Sequence, residues 1–336
     1  MAGLVFNGLL RQSVAALSSK DTCIYLGQAL ADYGFKDGHP FGPERHDRFK
    51  AELIRLGLDR ELALQTPVAA SSDRIQLFHT DDYIEKVRDY SQSGHGYLDC
   101  GDTPSFIGMF EAASHVAGSV CDAVDRIMRG EFRRAFSPIA GLHHARRHVA
   151  AGFCVFNDCG IAIEYLRQQH GIKRVAYVDI DAHHGDGVFY SFEDDPDLIF
   201  ADIHQDGRTL YPGTGFINET GKGEAEGTKL NIPLPPFSND AVFREVWPLV
   251  EDYLRKHEPE FILLQCGADS IKGDPITNME FSPAAHAQAA AGLRRIADEY
   301  CEGRMLAMGG GGYNHDNIAH GWTAVVDSMA RDRAGD

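Results

Sequence analysis

Residues 173–187 read KRVAYVDIDAHHGDG. The apolar first half, 173–180, is too short for a core helix and is rich in Val and Ile, as a strand buried on both faces is. The second half concentrates Asp179, Asp181, His183, His184 and Asp186 within eight residues. With a strand through Val178, alternation puts Asp179 and Asp181 on one side, and His183 follows at the same spacing. Carboxylates and imidazoles gathered at the end of a buried strand are costly unless a cation or a hydrogen-bond network compensates them.

The same form recurs along the chain. Short apolar runs stand at 133–142 (RRAFSPIAGL), 197–203 (DLIFADI), 260–266 (EFILLQC) and 304–308 (RMLAM), with helical patterns between them at 158–170, 240–257 and 283–302. Strands alternating with helices predict a central, mostly parallel β-sheet covered by helices on both faces. No repeat, low-complexity tract or linker divides the chain, so 21–330 is read as a single α/β domain and 1–20 as an N-terminal extension or short helix. In open α/β sheets ligands sit beyond the carboxyl ends of the strands. Four runs therefore deliver polar groups to one edge: His143 and His144, the 179–186 cluster, Asp269, and the 309–313 turn.

Composition narrows the function. The chain has 336 residues, 43% hydrophobic and 24% charged, which excludes a disordered or collagen-like protein. With 32 Lys+Arg against 49 Asp+Glu the net charge is −17, unsuited to nucleic acid and suited to a cationic substrate or partner. The seven cysteines are scattered without a C-x-x-C pair, which predicts reduced thiols in a cytoplasmic protein. No run of 18 apolar residues is present, so no membrane span is expected.

An Asp/His pair joined by a carboxylate from elsewhere makes a three-ligand site with an open position, the usual form of catalytic zinc. Asp269, just after the 261–268 run FILLQCGA, is the natural third ligand to Asp181 and His183. The alternative is a hydrogen-bonded cluster without metal. His143 and His144 are adjacent, with Asp179 and Asp186 available as orienting partners. A carboxylate on one ring nitrogen raises basicity at the other, as a general base requires. Gly309 to Gly312 would let backbone approach a ligand closely, with the Tyr313 phenol able to donate to an oxyanion. The run lacks the Lys-Ser/Thr ending of a phosphate loop.

With these residues in view, the chain resembles the zinc-dependent histone deacetylase superfamily, which has the arginase–deacetylase fold, and most nearly its bacterial acetoin-utilisation type. The matching stretches are GHPFGPER (38–45), FHTDDYI (78–84), DTPSFIGMFEAA (102–113), GLHHARRHVAAGFCVFND (141–158), VAYVDIDAHHGDGV (175–188), LYPGTG (210–215), LQCGADSIKGDP (264–275) and GGGGYN (309–314). They span roughly 20–325, in the family's order. The resemblance implies removal of acetyl or other acyl groups from the ε-amino group of lysine by attack of zinc-bound water. Zinc would lie on Asp181, His183 and Asp269. His144, paired with Asp186, would be the general base, and His143, paired with Asp179, would assist electrostatically or as the acid. Tyr313 would stabilise the oxyanion. Gly152 and Phe153, with Tyr211 opposite, would line the acyl-lysine tunnel, Gly311 would bring backbone against the substrate, and Asp102 would hold the substrate backbone at the rim. Arg45 would lie in an internal channel beneath the metal, and a structural potassium ion near Asp179, Asp181, His183 and Asp202.

Two positions depart from the family pattern: Tyr211 stands where many relatives have Phe, and Asp202 where the potassium site has Ser. Alternative readings are an acetylpolyamine amidohydrolase, a binuclear arginase-like ureohydrolase and a non-catalytic acyl-lysine binder. The arginase pattern places its next carboxylate two residues after the His, whereas Asp186 comes three after His183. An O₂N ligand set admits Fe²⁺ as well as Zn²⁺, and the sequence leaves a monomer or a homo-oligomer open.

Overall fold

All five apolar runs become strands in the computed structural model, which describes residues 21–36 and 38–331. The expected extension at 1–20 lies outside the described residues. In chain order the elements are β1 (Thr22–Tyr25), α1 (Gln28–Ala31), α2 (Glu44–Arg55), α3 (Leu58–Glu61), β2 (Ala63–Gln65), α4 (Ser72–Ile75), α5 (Asp81–Ser93), α6 (Met109–Met128), β3 (Arg134–Ser137), α7 (Asp158–His170), β4 (Val175–Asp179), α8 (Asp186–Ser191), β5 (Leu198–Gln205), β6 (Lys229–Leu234), α9 (Asp240–His257), β7 (Phe261–Gln265), α10 (Pro283–Tyr300), β8 (Met305–Met308) and α11 (His315–Ala330).

The strands form one eight-stranded sheet in the order β2-β1-β3-β8-β7-β4-β5-β6, and every pairing is parallel. The expectation of a mostly parallel sheet thus sharpens to a wholly parallel one. Every residue of β3, β4, β5, β7 and β8 is buried, as a parallel sheet covered on both faces demands. Helices α2, α9, α10 and α11 pack as one layer, and α5, α6 and α7 as another. Four helix starts are written in the sequence: Asn157, Asn239, Ser282 and Asn314 each accept backbone N–H groups of the first turn of α7, α9, α10 and α11.

Strand order explains the site. The strands β3, β8, β7 and β4 are consecutive in the sheet, and their carboxyl ends lead directly to His143 and His144, Gly309 to Tyr313, Asp269, and the 179–186 segment.

Candidate active site

Asp181 and His183 lie just beyond the end of β4, so a loop rather than strand alternation aims them. Asp269 sits in a single turn of 3₁₀-helix, Ala268–Ser270, after β7. One ligand atom from each of the three lies within 4.8 Å of the others, all are buried, and among the described residues this is the one such group of three. His183 Nδ1 stands 3.0 Å from Asp181 Oδ1 and 3.2 Å from Asp269 Oδ2. A single ring proton cannot serve two carboxylates well, whereas a divalent cation among the three would satisfy all of them, so the residues fit a metal. Burial opposes a charged ring, yet the Asp181 and Asp269 carboxylates outweigh it and push His183 to about 10. The cluster itself calls for positive charge.

The carboxylates are held from behind. Asp181 Oδ2 accepts from Gln265 Nε2 at 2.8 Å and from Gly311 N at 2.9 Å, and Asp269 Oδ1 accepts from Ala182 N at 2.9 Å. A Cβ on Gly311 would overlap both Asp269 and Asp181, which is why this position of the glycine run tolerates no side chain.

His143 and His144 follow β3, and each has its own carboxylate. His143 Nδ1 lies 2.8 Å from Asp179 Oδ2, and His144 Nδ1 lies 2.7 Å from Asp186 Oδ1. The two Nε2 atoms face one another at 3.1 Å. Burial, then the neighbouring His143, pushes His144 down to about 4 against the pull of Asp186, so the ring is a neutral base near pH 7. Asp179 also accepts from Tyr177 Oη at 2.6 Å and from Asp181 N at 3.0 Å, and Arg146 reaches the other oxygen of Asp186 at 3.2 Å.

Tyr313 closes the third side. Burial, then Asp269 and Asp181, pushes its phenol well above the ordinary value, so it stays a donor. Its backbone N donates to Asp274 Oδ2 at 2.8 Å. Arg45, fully buried, donates through Nε to the Gly312 carbonyl at 2.8 Å and through a terminal nitrogen to the Gly310 carbonyl at 2.6 Å. Its guanidinium lies 3.9 Å from the centre of the Phe41 ring.

The mouth is a cavity of about 430 Å³ lined by Asp99, Asp102, Ala150 and Tyr211 among others. The ring of Tyr211 lies 5.1 Å from that of His144 and 6.4 Å from that of His183, and the ring of Phe153 lies 5.8 Å from that of Tyr313. Gly152 has φ 53°, and a Cβ there would strike His144. Asp102 is exposed at the rim, where partial burial and Asp99 push its carboxyl to about 7.

The residues expected near potassium also converge. Asp179 and Asp202 are register partners on β4 and β5. Asp202, however, has protein partners on both oxygens: His204 Nδ1 at 2.7 Å and Gly185 N at 2.8 Å. Its charge is met inside the protein.

Three supporting residues escaped the sequence reading. Gln265 ties Asp181 to the Gly141 carbonyl, Asp274 holds the Tyr313 turn, and Asp158 accepts from Gly141 N at 2.8 Å and Leu142 N at 3.0 Å. The available signal was a polar residue ending an apolar run (Gln265) and a Gly-Asp-Pro turn (Asp274).

A buried Asp-His-Asp cluster able to hold a metal at the carboxyl edge of this sheet, beside two carboxylate-backed histidines and a phenol, is the arrangement of a hydrolase of the deacetylase class. Comparison with known proteins agrees. The histone deacetylase domain model matches residues 39–329, so the chain belongs to the histone deacetylase family. The acetoin utilization protein AcuC of Bacillus subtilis (strain 168) is 37% identical over 320 residues, covering 93% of this chain and 81% of the relative. AcuC of Staphylococcus xylosus is 33% identical over 296 residues, covering 85% and 76%. Among solved structures, the HDA15 HD domain matches with a TM-score of 0.85 at 26% identity, covering 93% of this chain and 89% of that one. No helix among the described residues is long and apolar enough to cross a membrane.

Proposed function

We propose that the protein removes acetyl or other acyl groups from the ε-amino group of lysine in peptides or proteins. The observation that carries this reading is the His143–His144 pair, each ring backed by its own carboxylate, with Nε2 atoms 3.1 Å apart beside the Asp181–His183–Asp269 cluster. A divalent ion held by those three residues, Zn²⁺ or Fe²⁺, would polarise the acyl carbonyl and acidify a water.

The chain's own groups supply the rest. His144, whose Nδ1 proton is fixed on Asp186, presents Nε2 as the base that takes a proton from the attacking water. The proton that His144 takes crosses the 3.1 Å Nε2–Nε2 contact to His143, fixed on Asp179, which passes it to the departing amine. The Tyr313 phenol donates to the carbonyl oxygen as that oxygen gains charge, a contribution of about 3–4 kcal/mol. Gly152, Phe153 and Tyr211 form the wall along an extended acyl-lysine chain, the Gly311 backbone borders the reacting group, and Asp102 accepts from the substrate backbone at the rim. Arg45 holds the glycine turn from below.

A second reading, hydrolysis of acetylpolyamines, is favoured by the paired carboxylates Asp99 and Asp102 at the mouth, which would attract a distal ammonium. Acetate release from an acetyl-lysine peptide and from acetylputrescine, measured on enzyme loaded with a defined metal, separates the two. Turnover of neither would overturn both readings.

A further inference from the structure

The mouth loop carries a hydrogen-bond chain that ends on the tunnel wall. Asp99 Oδ1 accepts from Gly101 N at 3.0 Å, Asp102 N at 3.1 Å and Thr103 N at 3.0 Å, so the 99–103 turn is folded around one carboxylate. Asp99 Oδ2 accepts the hydroxyl proton of Thr103. Fully buried Thr103 then uses its remaining lone pairs, accepting from Phe153 N at 3.1 Å. Phe153 has φ 67°, a left-handed conformation that L side chains with a Cβ rarely adopt. Its carbonyl accepts from Tyr33 Oη at 2.8 Å, so both backbone groups of this strained residue are held by side chains from distant parts of the chain. Its ring packs against His39 at 4.6 Å and Tyr313 at 5.8 Å between centroids.

We propose that Asp99 and Thr103 are positioning residues that set the aperture of the pit: Asp99 fixes the rim turn bearing Asp102, and Thr103 couples that turn to the backbone of Phe153. Rim and wall then move as one body, and a substrate chain threading the pit meets Asp102 and the Phe153 ring at a fixed separation. The kinetic part of this inference rests on the acyl-lysine reading. The structural part does not.

Thr103→Val keeps the shape but removes both the acceptor for Phe153 N and the donor to Asp99. It should raise KM for an acetyl-lysine peptide about tenfold while kcat stays within about twofold. Thr103→Ser, which restores the hydroxyl, should recover the parent KM, and Asp99→Asn should fall between. Hydrogen exchange followed by mass spectrometry on the 148–156 region should show the Phe153 amide exchanging about tenfold faster in Thr103→Val and at the parent rate in Thr103→Ser. Unchanged exchange and unchanged KM in Thr103→Val would overturn the coupling. So would equal losses in Thr103→Ser, or a fall of kcat with KM unchanged. If the parent enzyme does not turn over acyl-lysine peptides, the proposed function fails, and the exchange arm alone decides the coupling.

Discussion

Two Asp-x-His triplets lie at the carboxyl edge of the sheet, Asp181-Ala182-His183 after β4 and Asp202-Ile203-His204 within β5. They have the same spacing and are both buried, yet they are completed differently. His204 has its Nδ1 2.7 Å from Asp202 and its Nε2 2.9 Å from the Gly215 carbonyl, so both nitrogens face acceptors and the pair is closed. Burial opposes its charge, but Asp202 outweighs that and holds the ring above its ordinary value. His183 instead has two carboxylates on one nitrogen, because Asp269 arrives from β7. The spacing is therefore no guide to metal binding. A third ligand, the second carboxylate, delivered by another strand is.

This contrast is open to direct test. Asp181→Ala should lose the bound metal, read by mass spectrometry as a fall from one ion per chain, and with it at least about 10³-fold in activity. Treating the parent with a chelator should likewise abolish turnover while circular dichroism stays unchanged, because the sheet core lies apart from the ligands. Asp202→Ala should do the reverse. It leaves His204 buried without its counter-charge, costing about 3–5 kcal/mol in urea unfolding, with metal content unchanged. Equal metal loss in both variants would erase the distinction. Tyr313→Phe touches neither triplet and should lower kcat about 10²–10³-fold with metal and stability retained. His79 supplies the smallest effect. It is buried, accepts from Asn157 N at 2.9 Å, and burial lowers it to about 3. The unfolded chain binds this proton below about pH 6.5 and the folded chain does not, so stability falls as pH drops from there toward 3. Urea midpoints of His79→Gln across pH 6.5 to 4 should show a slope shallower than the parent's by up to about 1.4 kcal/mol per pH unit.

The central strands were legible because each carries a short apolar run, and helices 158–170 and 240–257 because each opens on an Asn cap. Strands β1, β2 and β6 were not. They are three to six residues long and carry Thr22, Gln65, Lys229, Asn231 and Pro233; β2 and β6 stand at the two edges of the sheet, which permits their polarity, and β1, inside it, is only four residues long. Helix α6 is buried on most of its surface, and its polar stripe, Glu111, His115, Asp122 and Arg126, is narrow. In the site, residue types at the strand ends and the family resemblance pointed to the Asp181–His183–Asp269 cluster, the tandem histidines and Tyr313, which the structure brings together. Gln265, Asp158 and Asp274 were hidden because one polar residue at a strand or helix end has many ordinary uses. Asp99 was hidden because its partners are backbone amides of its own turn.

The position of β8 has a consequence for how the molecule assembles. Strands β2, β1 and β3 form one block from the early part of the chain, and β7, β4, β5 and β6 another from the middle; only β8, the last strand among the described residues, joins them. Until it slides between β3 and β7, the tandem imidazoles and the three acidic and imidazole ligands ride on separate halves. A growing polypeptide therefore has no complete site edge until β8 has emerged, and shortening the chain before Met305 should leave two unjoined half-sheets rather than a weakened enzyme.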